Sequence, residues 1–342
     1  MVTIIRTPLR VSLFGGGTDY PSYFDRFPGA VLGFAIDKYI YISAIRLGAS
    51  VDYRYRVSYS QLEHVDEIRD IQHPVVKAAL CHYGYKEPLD ISTQADVPAS
   101  AGLGSSSAFT VGFVHLLSQM MGNARSRLEL AREAIFIERE LLGENVGVQD
   151  QLHAAFGGVN RFDFFGDSYR ISPINIPANE MNRLTGWFML VFTGIKRRAS
   201  DAVAEQIKNT AAKKIDTQLH SLLELVNEAQ KVLESGMAVA GIARRVAELL
   251  DTTWKIKKEL SSGVTLAAID ELYDFCIRNG ALGGKLCGAG GGGFLLMVVP
   301  PEKRGALKQA VGERRCIDLC IDQHGSHLIS GGTNRHNRDL PY

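Results

Sequence analysis

The stretch PASAGLGSSS at 98–107 constrains the fold most, because it is a glycine and serine loop that runs straight into an apolar helix. Glycines at 102 and 104 permit backbone torsions and a closeness of approach that a side chain forbids. The start of the following helix offers unpaired N–H groups and the positive end of a dipole. Together these read as an anion cradle built from Pro98, Gly102, Leu103 and Gly104, with the hydroxyls of Ser105, Ser106 and Ser107 where a phosphate or its magnesium would lie. A flexible Gly/Ser linker has the same composition, and the string alone does not separate the two.

The rest of the chain does. With 342 residues, two domains of roughly 150 residues each are expected, and 46% hydrophobic content is enough for a sizeable core. Thirty-eight Lys and Arg stand against thirty-seven Asp and Glu. That balance excludes a partner recognised by bulk charge, whether nucleic acid or an anionic membrane surface, so any anion site must be local. The five cysteines form an odd set without CxxC pairs, and no long apolar segment is present. Reduced thiols in a cytoplasm are the simplest reading.

Residues 3–14 read as a strand that runs into Gly15, Gly16 and Gly17 and then the polar trio Thr18, Asp19 and Tyr20. Such an ending can bring backbone and hydrogen-bonding groups up to a polyol, or can be a tight turn with solvated tips. Arg10, inside the strand, sits on its solvated face or points into the same cleft. Strands follow over 30–47 and 53–59, suggesting an antiparallel meander; then come a helix over 74–83, a strand over 88–95, the loop, and its helix from about Ser105 to Met121. The capping box Ser126 to Glu129 opens a helix with a core-facing stripe that also carries Glu138. In the segment 143–158, Asp150 is enclosed by Gln149 and Gln151; amides can orient a carboxylate there, or Asp150 can cap a helix. Strands over 159–165 and 169–174 precede a polar stretch, 177–185, that reads as a domain boundary.

The second half opens with a strand over 187–193 and the basic knot Lys196, Arg197 and Arg198, which is either an anion grip or a solvated helix start. Three helices then span 213–233, 239–260 and 265–278 and display no evident chemistry. The last glycine segment, 283–300, contains Gly288, Gly290 and Gly293 in GxGxxG spacing. A dinucleotide fingerprint needs those glycines after a strand and before a helix, and here they precede a strand over 294–299. A Walker A reading fails as well, because Lys285 is followed by Leu286. A glycine loop able to lie flat against another surface remains.

Three glycine-rich segments in one chain are hard to explain as chance turns. PLRVSLFGGGTDY at 8–20, PASAGLGSSSA at 98–108 and KLCGAGGGG at 285–293 resemble, in order and over nearly the whole chain, the three motifs of the GHMP kinase superfamily. Within it, the TDY ending and GVQDQLHAAFGGVN at 147–160 are similar to sugar kinases acting at an anomeric hydroxyl, the heptose 7-phosphate 1-kinase branch first and fucokinases beside it.

The resemblance implies an α+β two-domain fold: a ribosomal protein S5 domain 2-like ATP-binding domain over 1–182, a ferredoxin-like domain over 183–330, and a tail over 331–342. It implies ATP on the 102–107 loop, Mg²⁺ on Ser106 and Glu138, and Asp150 as base. Arg10 would stabilise the transferring phosphoryl group, and Gly288 and Gly290 would close the site from the second domain. The acceptor, a small-molecule sugar phosphate, would meet Gly17, Thr18, Asp19, Tyr20 and Asp150, with Arg197 gripping its distal phosphate. Nucleic acid and membrane are not expected partners, and a homodimer is possible. Relatives of this branch often carry lysine before the QDQ triplet, where this chain has Val148, which leaves Arg10 to supply a cation for Asp150. The competing expectations are another GHMP activity, such as a fucokinase, and a silent sugar and nucleotide sensor.

Overall fold

The computed structural model describes residues 1–48, 50–98, 101–195 and 200–331. Its first half is organised on a long strand pair. β1 (Thr3–Phe14) is buried throughout its second half, where β2 (Gly29–Arg46) pairs one edge and the Leu103 carbonyl accepts from the Arg10 N–H on the other. β2 is long enough to serve two partners beyond β1. The shorter strands are β3 (Tyr55–Ser58), β4 (Leu62–Val65), β5 (Leu89–Ala95), β6 (Val159–Phe165) and β7 (Ser168–Pro173). β2 pairs β6 through its first residues and β5 through its last. The expected antiparallel meander is therefore corrected: β3 lies beyond β5 and runs parallel to it, with the helix Pro74–Tyr83 in the crossover. Only β3 with β4 makes a hairpin there.

The helix Ser105–Met120 packs on β1 and β2, and Gly112 permits the approach, since a Cβ there would lie 2.7 Å from the Thr7 hydroxyl. The capping box forms as expected, with the Ser126 hydroxyl accepting from the Glu129 N–H and the Glu129 carboxylate accepting from the Ser126 N–H. The polar stretch after β7 is not an open linker: the helix Ala178–Thr185 buries Met181 and Leu184.

The second sheet contains β8 (Phe188–Phe192), β9 (Gly283–Leu286), β10 (Phe294–Val298) and β11 (Cys316–Asp318). All its pairings are antiparallel, in the order β11-β8-β10-β9. Counted along the chain that order is 4-1-3-2, the split βαββαβ arrangement of a ferredoxin-like domain. The helices Val239–Lys257 and Ala267–Arg278 cover it, burying Trp254 and Tyr273 in a second core. The 183–330 unit needs a correction at its end. β12 (His327–Ser330) returns to the first sheet and pairs with β1. A bridge from Ile36 to Ile321 and a bond between the Thr7 and Ser326 hydroxyls fasten that return. The tail beyond residue 331 lies outside the described residues.

Candidate active site

β1 delivers two groups to one cavity, Arg10 from its middle and the Gly15 to Tyr20 turn from its end. Gly15 has φ +82°, and a Cβ there would lie 2.0 Å from the Ala30 carbonyl oxygen, so only glycine lets the turn sit against β2. Thr18 fastens this turn. Its hydroxyl lies 2.9 Å from the carbonyl oxygens of both Gly15 and Ala30 and accepts from the Ala30 N–H. It is fully buried and does not line the cavity, so its expected role as an acceptor ligand gives way to a structural one. Gly17, Asp19 and Tyr20 do line it. Asp19 is 1% exposed; one carboxylate oxygen accepts from the Gly17 N–H and the other from the Gln149 amide, each at 2.9 Å. Burial, opposed by the Gly17 bond, raises its pKa. Burial and then the Asp19 charge push the Tyr20 phenol up as well.

The glycine loop meets this wall through Arg10. The Arg10 N–H donates to the Leu103 carbonyl at 3.1 Å, and its guanidinium donates to the Gly102 carbonyl at 2.7 Å. Two further guanidinium nitrogens form a fork onto Asp150, at 2.7 and 2.8 Å. Arg10 is 5% exposed, so this is a nearly buried bidentate pair. The cation left open by Val148 is thus Arg10. Val148 itself is buried at the N-cap of the helix Gln149–Phe156, with Asp150 in the first turn, so the capping alternative for Asp150 falls away.

Gly102 and Gly104 have φ +76° and +73°. The first is also a contact between domains, because a Cβ on Gly102 would lie 2.7 Å from the Cys287 carbonyl and one on Gly288 would lie 2.6 Å from the Gly102 Cα. The second and third glycine-rich segments therefore stack backbone on backbone. Gly288 and Ala289 line the cavity, whereas Gly290 packs against the Val264 backbone and supports them from behind. The helix Ser105–Met120 starts at Gly104 with no side-chain cap and no acidic residue in its first turn, leaving its N–H groups and dipole for an anion. Pro98 is exposed and the Leu103 side chain is core, so the cradle is the backbone from Gly102 to Ser107.

Glu138 lies on a π-helical turn, Ile137–Leu141, that continues the preceding helix and turns the carboxylate inward. It is wholly buried, accepting from the Ser107 hydroxyl at 2.9 Å, the Thr110 hydroxyl at 2.6 Å and the Gln151 amide. Burial pushes it up to about 7 in spite of those donors. The serine hydroxyl bonded to Glu138 is that of Ser107; Ser106, expected beside Glu138 on a shared Mg²⁺, is exposed at the helix start and makes no hydrogen bond to it. Glu138 fits a hard cation, being a buried carboxylate with only neutral donors around it. Among the described residues no cluster of three or more His, Cys, Asp or Glu could hold a metal. One carboxylate with substrate phosphates is how a protein commonly holds Mg²⁺.

The cavity wall also holds two lysines that sequence reasoning did not place in the site, Lys257 and Lys285. Lys257 ends the helix Val239–Lys257, where a last-turn lysine reads as a solvated partner of the dipole. Arg197 lies outside the described residues.

Residues 71–158 match the GHMP kinases N terminal domain and residues 238–318 match the GHMP kinases C terminal domain. The chain is 32% identical to a D-glycero-alpha-D-manno-heptose 7-phosphate kinase of Campylobacter jejuni, over 90% of this chain and 92% of that one. It is a GHMP kinase. A galactokinase of Thermotoga neapolitana is 26% identical over 84% of this GHMP kinase and 86% of its own length. The fold is shared with a D-glycero-D-manno-heptose 1-phosphate kinase from Bacteroides thetaiotaomicron, at TM-score 0.77 and 23% identity, covering 97% of this chain and all of that one. It is also shared with a mevalonate kinase, at TM-score 0.70 and 21% identity over 94% and 99% of the two chains. This GHMP kinase is accordingly a phosphotransferase, a sugar kinase with ATP as phosphate donor. Among the described residues no helix is long and apolar enough to cross a membrane.

Proposed function

We propose that this sugar kinase transfers the γ-phosphoryl group of ATP to the anomeric C1 hydroxyl of a sugar phosphate. The acceptor is D-glycero-D-manno-heptose 7-phosphate, the product its 1,7-bisphosphate, and the setting nucleotide-activated heptose biosynthesis. The observation that carries the reading is the Arg10–Asp150 fork beside the stacked glycine loops, in a cavity that also presents Asp19 and Tyr20. The heptose 7-phosphate kinase relative supports the choice of acceptor.

Asp19 and Tyr20 hold the sugar hydroxyls, with Asp19 kept in place by Gly17 and Gln149. Asp150 accepts the C1 hydroxyl proton as the new O–P bond forms and the bond from the γ-phosphorus to the bridging oxygen breaks, releasing ADP. Each Asp150 oxygen accepts one Arg10 bond and retains a second lone pair for that proton. An anomeric hydroxyl is more acidic than an ordinary alcohol, which suits a carboxylate acting late in the transfer. Arg10 and the helix start neutralise charge on the moving group. Glu138, with Ser106 at the helix start, would hold Mg²⁺, which when bound supplies charge neutralisation at the β- and γ-phosphates. The five cysteines are all free thiols, in keeping with a reducing cytoplasm.

A panel of sugars and sugar phosphates, each assayed with ATP by ADP release, tests the reading. Turnover that is highest with heptose 7-phosphate is expected. A preference for an unphosphorylated hexose or for fucose would overturn it. Asp150→Asn should lose turnover while retaining ATP binding.

A further inference from the structure

The second-domain wall of the cavity carries two lysines for which phosphoryl transfer, as set out above, has no task. Lys257 stands one turn beyond Thr253 on the helix Val239–Lys257, and both line the cavity from the same helix face. Lys285 comes from β9. The two are 8% and 3% exposed. Lys257 donates to the carbonyls of Leu286, at 3.0 Å, and Gly288, which occupies two of its three N–H donors. No carboxylate among the described residues forms an ion pair with either lysine, whereas Arg10 is matched by Asp150. Asp19, the other lining carboxylate, is already held by Gly17 and Gln149. A buried ammonium without a counter-charge is costly, and desolvation drives both lysines toward their neutral forms. A dianion entering the cavity removes that cost.

We infer that Lys257 and Lys285 form the subsite for the phosphate group that the acceptor itself carries. The inference rests on the reading of the acceptor as a sugar phosphate. Donor phosphates already have the Gly102 to Ser107 backbone, the helix start and Arg10. A phosphate monoester brings a charge of about −1.5 to −2 at neutral pH, which two ammonium groups balance. The bond from Lys257 to the Gly288 carbonyl also ties this subsite to the loop stacked on Gly102. Occupancy of the phosphate subsite therefore braces the contact that frames the nucleotide, and a sugar without its phosphate forfeits that bracing.

The test compares wild type, Lys257→Met, Lys285→Met and the two Lys→Arg variants, using heptose 7-phosphate and heptose as acceptors. In the Met variants the KM should rise at least tenfold for heptose 7-phosphate and by a smaller factor for heptose, with the KM for ATP within twofold of wild type in Lys285→Met, whose lysine side chain makes no bond to the glycine loop among the described residues. The Arg variants should recover part of the loss. Equal losses with both acceptors, a raised KM for ATP in Lys285→Met, or an unchanged preference for the phosphorylated acceptor would overturn the assignment. Inorganic phosphate, titrated against thermal unfolding with ADP saturating the nucleotide loop, gives a readout without turnover: it should stabilise wild type more than the Met variants, and equal stabilisation of all forms counts against the subsite. If wild type fails to phosphorylate heptose 7-phosphate, the functional reading fails on that arm alone, while the phosphate titration still decides the lysine pair.

Discussion

Replacing Arg10 with methionine removes the fork onto Asp150 and the bond to the Gly102 carbonyl while keeping a chain of similar length. Breaking a buried ion pair costs about 3–5 kcal/mol, most of it from the charge left behind. Here the abandoned Asp150 side chain is 24% exposed, so water recovers part of that cost and the lower end, about 3 kcal/mol, is expected. Turnover should fall by about 10²- to 10³-fold, the usual loss when a donor to developing transition-state charge is removed. Urea unfolding and saturating-ATP kinetics on Arg10→Met, Asp150→Asn and the double variant form a cycle. If the fork is the main interaction, Arg10→Met costs little further stability once Asp150 is Asn, giving a coupling of about 1.5 kcal/mol or more. Additive losses, with coupling under about 0.5 kcal/mol, would refute the claim that Arg10 is the cation serving Asp150.

Gly102→Ala places a Cβ 2.7 Å from the Cys287 carbonyl on a backbone at φ +76°. It should cost at least about 1 kcal/mol of stability from the left-handed conformation alone and weaken ADP binding, measured by calorimetry; wild-type affinity would count against the loop stacking. Glu138→Gln should retain ATP binding but lose most Mg²⁺-dependent turnover, and an unchanged Mg²⁺ titration of activity would remove Glu138 as the cation ligand. Burial pushes His115 down to about 4 and His153 to about 3. Below the ordinary histidine pKa of about 6.5 the unfolded chain binds more protons than the native one, so their contribution is complete above that pH and is lost on acidification. His153→Leu should flatten the fall in urea midpoint between about pH 6.5 and 4, and an identical fall in both proteins would show that His153 is not buried neutral.

What was legible in the sequence is what backbone chemistry dictates. Glycines at 15, 102, 104 and 288 announce positive φ or close approach, and each of these four has a positive φ in the structure. Apolar alternation gave β1, β2 and β5 to within a few residues. Long-range pairing was not legible, because β3 beside β5 and β12 beside β1 are short strands whose partners local pattern cannot specify. The same holds for side chains whose meaning depends on what the fold brings near them. Thr18 reads as a free polar tip but is consumed by two carbonyls, and Lys257 reads as a solvated helix end but is enclosed by a second sheet and a glycine loop. Glu138 was marked in the sequence only by the family resemblance, and the π-turn that aims it at Ser107 and Thr110 had no sequence signal.

The central claim, transfer from ATP to an anomeric hydroxyl of a sugar phosphate, is tested most directly by phosphorus and proton NMR of the product formed from heptose 7-phosphate. A second phosphate signal coupled to the anomeric proton, with the 7-phosphate signal retained and one ADP formed per product, is the predicted result. A phosphate on any other carbon, or ADP formation without a sugar bisphosphate, would contradict it.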